Sequence, residues 1–422
     1  MAAWVGSALE FYDFSIYGTA ASIVFPKLFF PDSHPVAAMV GSLATIGAAY
    51  VARPVGSLFM GHWGDKYGRK TVLVGTMLLM GFSVFAIGCL PTYGQIGVFA
   101  PIALLILRML QGFAVSGEAS GANALVLEHA PARRRGYFTS FTLSGTQGGV
   151  ILASLVFVVL TSTLTQEQLM SWGWRVPFWL SLIIVVVGFI IRRTLAESPD
   201  FQKRKDSTRP GGTALRVVFA DHRAAMIRVF LMIFTNAVGV TFGAFALTYA
   251  TQSDYGVGIS KNTMLWVVIA VNVLAVFTIP AFAALSDRIG RKPVFIGGVV
   301  CAVVMSWPFL YAISIANVPL VFATAVVMMS FGFSAYNGTW PSFWNEQFPA
   351  RVRVSGVGIA SQFGIALTGL LPSVAALLAP PGANVVVIVG TMIVLFTLPG
   401  IVAAFMAPET HKTSIEELDA VR

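Results

Sequence analysis

Two short charged segments occur twice in this chain at nearly one separation, and the sequence between them is apolar. Asp65, Gly68, Arg69 and Lys70 of GDKYGRK return as Asp287, Gly290, Arg291 and Lys292 of SDRIGRK, 222 positions on. Glu128, Pro131, Arg133 and Arg135 of EHAPARRR return as Glu346, Pro349, Arg351 and Arg353 of EQFPARVR, 218 positions on. Two unrelated loops sharing almost one offset imply a duplicated half. Only 11% of the 422 residues are charged and 56% are hydrophobic, against about 25% charged in a soluble domain. The duplicated half therefore belongs in a bilayer, and parallel membrane repeats are a construction of secondary transporters. The net charge of +9 does not point to nucleic acid, because the basic residues sit in short clusters between apolar runs.

A helix needs about 20 apolar residues to cross a bilayer. Such runs fall at about 4–29, 36–61, 71–90, 99–127, 137–163, 175–194, 225–251, 262–285, 294–314, 318–344, 355–379 and 384–407. The expected fold is all-α and membrane-integral, with twelve transmembrane helices in two six-helix bundles. The bundles are expected at 1–194 and 224–408, with a polar linker at 195–223 and a short tail at 409–422. The first run carries Glu10 and Asp13 and lacks a basic leader, so it reads as a retained helix rather than a signal peptide. With the N-terminus inside, nearly every Lys and Arg cluster lies in an inner loop. The positive-inside rule therefore puts both termini in the cytoplasm, in the plasma or inner membrane. A monomer is expected. Cys89 and Cys301 lie in apolar runs of opposite halves and read as small buried hydrophobes, not as a disulfide.

The repeated loops read as latches. Asp65 can accept hydrogen bonds from helix-end amides and pair with a nearby arginine, and Gly61 and Gly64 permit a tight turn. A plain topogenic charge cluster is the alternative, but topogenesis does not require a fixed Asp-to-Gly-Arg-Lys spacing. The expected latch residues are Asp65, Arg69, Glu128 and Arg133 in the first half, and Asp287, Arg291, Glu346 and Arg351 in the second.

These loops resemble the signature loop of the major facilitator superfamily. ALEFYDFSIYG, VARPVGSLFMGHWGDKYGRK, RMLQGFAVSGE and WGWRVPF narrow the resemblance to its metabolite:proton symporters. That resemblance implies uptake of a small charged metabolite such as 2-oxoglutarate, citrate, shikimate, proline or betaine. It also implies the two-bundle major facilitator fold. The family's acidic-plus-Trp-Gly-Gly stretch reads here as Glu118-Ala119-Ser120-Gly121. No heptads follow Pro408, unlike the coiled-coil tail of the osmosensing betaine carriers, so a carrier of that kind is not expected. Drug antiporters of the superfamily carry Gly-Pro in the fifth span. SGTQGGVILAS has Gly145, Gly148 and Gly149 but no proline, which leans toward symport.

Charges deep in a bilayer are costly and mark function by default. At about 1.5 Å per residue, Glu10, Asp13, Arg53, Arg108 and Glu118 all gather near the midplane of the first half. Glu10, Asp13 and Tyr17 share a helix face by their spacing, and Arg108, Gln111 and Glu118 share a stripe. In sugar–proton symporters of the superfamily, an arginine in Arg-x-x-Gln-Gly of the fourth span pairs with a first-span aspartate. The resemblance carries that pairing to Arg108 and Asp13. Desolvation favours a neutral carboxyl and a nearby arginine favours the anion, so an arginine that leaves for a substrate carboxylate couples proton to anion. A buried ion pair that only holds two helices together is the alternative. Arg53 could pair with Glu10 as a gate or snorkel inward; Glu118 could pair with Arg53 or titrate alone. Proton coupling is therefore assigned to Asp13, Arg108, Glu10 and Glu118.

The second half offers polar candidates for the substrate: Asn236, Asn272, Asn337, Trp340 and Gln362, beside Arg53, Arg108, Tyr17 and Gln111 from the first. Inter-helix glue is the bland alternative for any single one of them. Gly338 and Pro341 predict a locally broken tenth helix of the sort that lines a cavity. No histidine has metal-ligand spacing and no phosphate loop is present, so no cofactor, metal or ATP is expected. The expected partners are a small-molecule substrate, protons and the lipid bilayer. The function that results is a proton-coupled symporter, not an enzyme, importing a small organic acid or related charged metabolite by alternating access. An antiporter or exporter and a non-transporting sensor are the competing readings.

Overall fold

The structure is a computed structural model that describes residues 2–31, 35–67, 69–116, 126–127, 130–182, 186, 221–349 and 352–413. All regular structure among these residues is helical. The helices follow the apolar runs: α1 Ala2–Ile23, α2 Pro35–Tyr67, α3 Arg69–Cys89, α4 Phe99–Val115 and α5 Arg135–Thr163. Next come α6 over 176–182, α7 Arg223–Thr251, α8 Lys261–Ile289, α9 Arg291–Ser314 and α10 Val318–Asn345. The last two are α11, Arg353–Thr368 continued by Leu371–Leu378, and α12, Val385–Met406. Eight of them are long and apolar enough to span a membrane by themselves. Large apolar side chains such as Phe82, Phe277, Leu395 and Phe405 point outward, as a lipid-facing surface requires.

Helix boundaries follow local chemistry. α1 stops at Ile23, and a short helix Phe25–Phe29 restarts with Pro26 in its first turn, where a missing amide costs nothing. The GDKYGRK segment is mostly helical backbone, not an open loop: α2 runs on to Tyr67 and α3 begins at Arg69. The second repeat shows how so tight a turn is made. Gly290 alone separates α8 from α9, at φ +115, a conformation that L side chains avoid.

Helices of the two repeats meet in two matched pairings, α5 along α8 and α2 along α11, with α1 also against α7. Small residues set the approach. A Cβ on Gly112 of α4 would lie 1.9 Å from the Ala49 carbonyl oxygen of α2. One on Gly149 of α5 would lie 2.3 Å from the Ala8 carbonyl of α1. This close backbone contact is how membrane helices gain dispersion without a hydrophobic drive.

Several expectations are corrected. α10 is not broken at Gly338 or Pro341, since Ser334–Asn345 is continuous helix. A proline in a membrane helix removes one bond without ending it, and Gly338 serves close packing on the Ile279 carbonyl. The irregularity lies earlier, in a π-helical stretch at Val326–Phe333, matched by another at Thr241–Ala246 in α7. Cys89 is exposed and Cys301 half-buried, so neither is a core residue; both are free thiols. The expected linker, except for 221–223, residues 117–125 of the expected fourth span, and 183–185 and 187–194 of the expected sixth span fall outside the described residues.

Candidate functional site

α1, α2 and α4 bring Asp13, Arg53 and Arg108 into one cluster built around Phe14. Asp13 and Phe14 are neighbours on α1. Tyr50 and Arg53 share a face of α2 by their three-residue spacing, as do Arg108 and Gln111 on α4. All six are buried except half-buried Tyr50. The Arg53 guanidinium carbon lies 4.6 Å from the Phe14 ring centre and 4.8 Å from that of Tyr50. The Arg108 carbon lies 4.8 Å from Phe14 and 3.9 Å from Tyr17. Phe14 and Tyr50 are themselves stacked at 6.0 Å. Of the two alternatives for Arg53, inward snorkelling does not occur, since its side chain is buried.

The expected Asp13–Arg108 pair is not made. Asp13 Oδ1 accepts from the Ser181 hydroxyl of α6 at 2.6 Å, and Asp13 Oδ2 has no partner. Arg108 donates through Nη1 to Gln111 Oε1, while its Nε and Nη2 have none; Arg53 Nε also has none. Tyr17 donates to Thr45 Oγ1 at 2.6 Å, so its hydroxyl is engaged and its ring face carries the cation. A guanidinium over an aromatic face gains about 0.5–2 kcal/mol, less than a charge-assisted hydrogen bond to an anion. Among the described residues the two cations are thus held over rings, with three of their nitrogens lacking a hydrogen-bond partner. Glu10 lies half-buried one turn before Asp13, and Glu118 lies outside the described residues.

The second-half candidates divide. Asn272 donates through Nδ2 to the Val268 carbonyl of its own helix at 2.7 Å. Asn337 accepts from Trp340 Nε1 at 3.3 Å, and Trp340 stacks on Trp344 at 4.4 Å. Gln362 Oε1 and Trp344 Nε1 are buried without partners. Asn236 is half-buried at the end of a 3-10 turn in α7.

The second repeat loop forms a buried charge cluster where the α8–α9 turn meets the start of α5 and the end of α10. Asp287 pairs with Arg291 at 2.7 Å and accepts from the Gly136 and Tyr137 amides of α5 at 2.9 Å each. Arg291 donates to Glu346 at 3.2 and 3.3 Å, and Arg135 approaches the same carboxylate at 3.5 Å. Arg135, not Arg133, occupies the cluster. Arg133 is exposed on a short 3-10 turn, and Arg135 is the first residue of α5, turned inward. The segment after α12 completes it. Thr410 Oγ1 donates to Glu346, and the Thr413 carbonyl accepts from Arg135 at 2.6 Å. Glu409 accepts from the Arg291, Lys292, Thr410 and His411 amides at 2.8–3.3 Å. Burial alone would push the Glu409 carboxyl up; these four donors outweigh it and hold it below the ordinary glutamate value. Arg353 fastens the end of α10 through the Asn345 and Phe348 carbonyls. Glu128 and Arg351 lie outside the described residues, as do the side chains of Asp65 and Arg69.

Sequence reasoning missed Phe14, Tyr50 and Ser181, which sit within three residues or one helix of predicted ones but carry no charge. It also missed Glu409, Thr410 and Thr413. Arg135 and Arg353 were within the repeat itself.

A helical bundle with eight apolar helices long enough to cross a bilayer and large apolar side chains facing outward is the build of a multi-pass membrane protein. The sequence profile of the Major Facilitator Superfamily matches residues 3–367 and 229–420, and the chain belongs to that superfamily. It is 37% identical to the inner membrane metabolite transport protein YhjE of Escherichia coli, over 85% of this chain and 82% of the relative. It is 33% identical to the proline/betaine transporter of Escherichia coli (91% and 78%) and 31% identical to the shikimate transporter (90% and 86%). Among solved structures, the xylose transporter XylE of E. coli in a partially occluded inward-open state aligns over 98% of both chains. Its TM-score is 0.75 at 19% identity, a likeness of fold. Relatives of this kind make it a transporter rather than an enzyme.

Proposed function

We propose that the protein is a proton-coupled symporter of the plasma or inner membrane that imports a small organic acid by alternating access, with both termini in the cytoplasm. One observation carries the reading: a buried carboxylate, Asp13, stands in one cluster with two buried guanidiniums, and Arg108 Nε and Nη2 and Arg53 Nε have no hydrogen-bond partner among the described residues. In the proposed cycle Arg53 and Arg108 take the substrate carboxylate and Asp13 takes the proton, with Ser181 holding it when unprotonated. Gln111 positions Arg108. The charge cluster around Glu346 closes the cytoplasmic end, and the Asp65–Arg69 loop is its counterpart in the first repeat. The relatives named as metabolite, shikimate and proline/betaine transporters support a small-metabolite cargo.

Asp13→Asn in proteoliposomes is the test. It should abolish accumulation against a gradient while leaving exchange of preloaded substrate, because exchange need not cycle the proton. Accumulation by Asp13→Asn at the wild-type rate, with unchanged pH dependence, would refute the assignment of Asp13.

A further inference from the structure

We infer that this site selects carboxylates without a cationic centre and rejects zwitterions such as betaines, because the protein's own arginines already cover the aromatic faces an ammonium group would use. The inference rests on the reading of the Arg53–Phe14–Arg108 cluster as the substrate site.

A quaternary or secondary ammonium in a dry site is held by aromatic faces or by an unpaired carboxylate. Three rings line this cluster, and each has a guanidinium on it. Phe14 carries Arg53 at 4.6 Å and Arg108 at 4.8 Å, Tyr17 carries Arg108 at 3.9 Å, and Tyr50 carries Arg53 at 4.8 Å. A substrate cation brought to any of these rings would meet a like charge within a few ångströms, poorly screened because Arg108 is 0% and Arg53 7% exposed.

The charge balance points the same way. Among the described buried side chains of this cluster, two arginines face one carboxylate, Asp13, which a serine hydroxyl already engages. Glu10, half-buried, is the nearest other carboxylate on α1. Within this buried set positive charge exceeds negative, which favours a ligand that brings net negative charge over one that brings none. Three guanidinium nitrogens without partners, Nε and Nη2 of Arg108 and Nε of Arg53, suit carboxylate oxygens and offer nothing to an ammonium.

Thermal stabilisation of the purified protein separates the classes. One panel holds succinate, malate, 2-oxoglutarate, citrate and shikimate; the other holds glycine betaine, proline and ectoine. At least one acid should raise the melting temperature with saturable affinity, and no zwitterion should do so at about tenfold higher concentration. Arg108→Gln should weaken that acid by about tenfold or more. Arg53→Gln, which uncovers Tyr50 and one contact of Phe14 and removes one positive charge, should shift the ratio of acid to betaine affinity toward betaine by about tenfold. Both variants are checked for a wild-type elution volume and helical content. A zwitterion binding the wild type as tightly as every acid, and weakened by Arg108→Gln, would overturn the selectivity while leaving a solute site at the arginines. Silence of all eight probes on folded wild type would overturn that site, and this inference with it.

Discussion

Glu346→Gln is the sharpest probe of how the two repeats are held together at the charged end. The side chain is 0% exposed and takes contacts from Arg135, Arg291 and Thr410. Asp287 also pairs with Arg291. The amide keeps the shape and removes the negative charge that Arg135 and Arg291 share. Breaking a buried pair this way costs about 3–5 kcal/mol. Part of that cost falls within the second repeat, where Arg291 and Glu346 both reside. The part that involves Arg135 falls between the repeats and favours separation at this end. A 3 kcal/mol share would change the closed-to-open ratio by about 150-fold. The assay is a spin-label distance distribution between Arg133→Cys and Arg288→Cys, two exposed sites, one in each repeat, in a background lacking Cys89 and Cys301. The short-distance population should fall sharply in Glu346→Gln. Lower thermal stability with an unchanged distribution would refute the closing role and leave the cluster as internal support for the second repeat.

Two further outcomes follow from the packing and from the segment after α12. Gly112→Ala forces a Cβ to within 1.9 Å of the Ala49 carbonyl, so α2 and α4 must part and the arginine cluster they carry must loosen. It should lower both melting temperature and substrate affinity, whereas Gly297→Ala, with open space around it, should do neither. Glu409 contributes stability as an anion, because its folded-state carboxyl lies below the ordinary value. That contribution is complete above the ordinary glutamate range near pH 4.5 and is lost as pH falls through the lower folded value. Thermal stability of the wild type should therefore drop more steeply below about pH 4.5 than that of Glu409→Gln, and parallel pH profiles would contradict the amide cradle.

The duplicated loops were enough to read the twelve-helix plan, because charge spacing survives in sequence while helices between it need only be apolar. Depth arithmetic along α1, α2 and α4 also brought Asp13, Arg53 and Arg108 together, since helix rise is fixed by the backbone. Which partner each side chain takes was not legible. Arg108 had Gln111 on its own helix and two aromatic faces within reach, and the choice depends on rotamers set by packing. Ser181 was one serine in an apolar run, with no signal that its hydroxyl meets Asp13. The π-helical stretch VVMMSFGF has no distinguishing residue either. It accompanies contacts distant in sequence, such as Ser330 Oγ donating to the Val271 carbonyl and Gly239 against Phe333. Gly338 and Pro341, the local signal that drew attention, sit in regular helix. In the buried charge cluster, the repeat had pointed to Asp287, Arg291 and Glu346. It misplaced the inward arginine by two positions because the start of α5 decides which residue of Arg133, Arg134 and Arg135 faces the cluster. Glu409 lay beyond the repeated segments, where nothing in the pattern marked it.

The central claim is that a carboxylate and a proton cross together through the cluster of Asp13, Arg53 and Arg108. Its most direct measurement is internal pH in proteoliposomes loaded with a fluorescent pH indicator, after external addition of the acid that stabilises the purified protein. The account predicts acidification of the lumen that depends on the acid, is absent in Asp13→Asn and is lost with binding in Arg108→Gln. Uptake of the acid with no change in internal pH, or with alkalinisation of the lumen, would contradict symport.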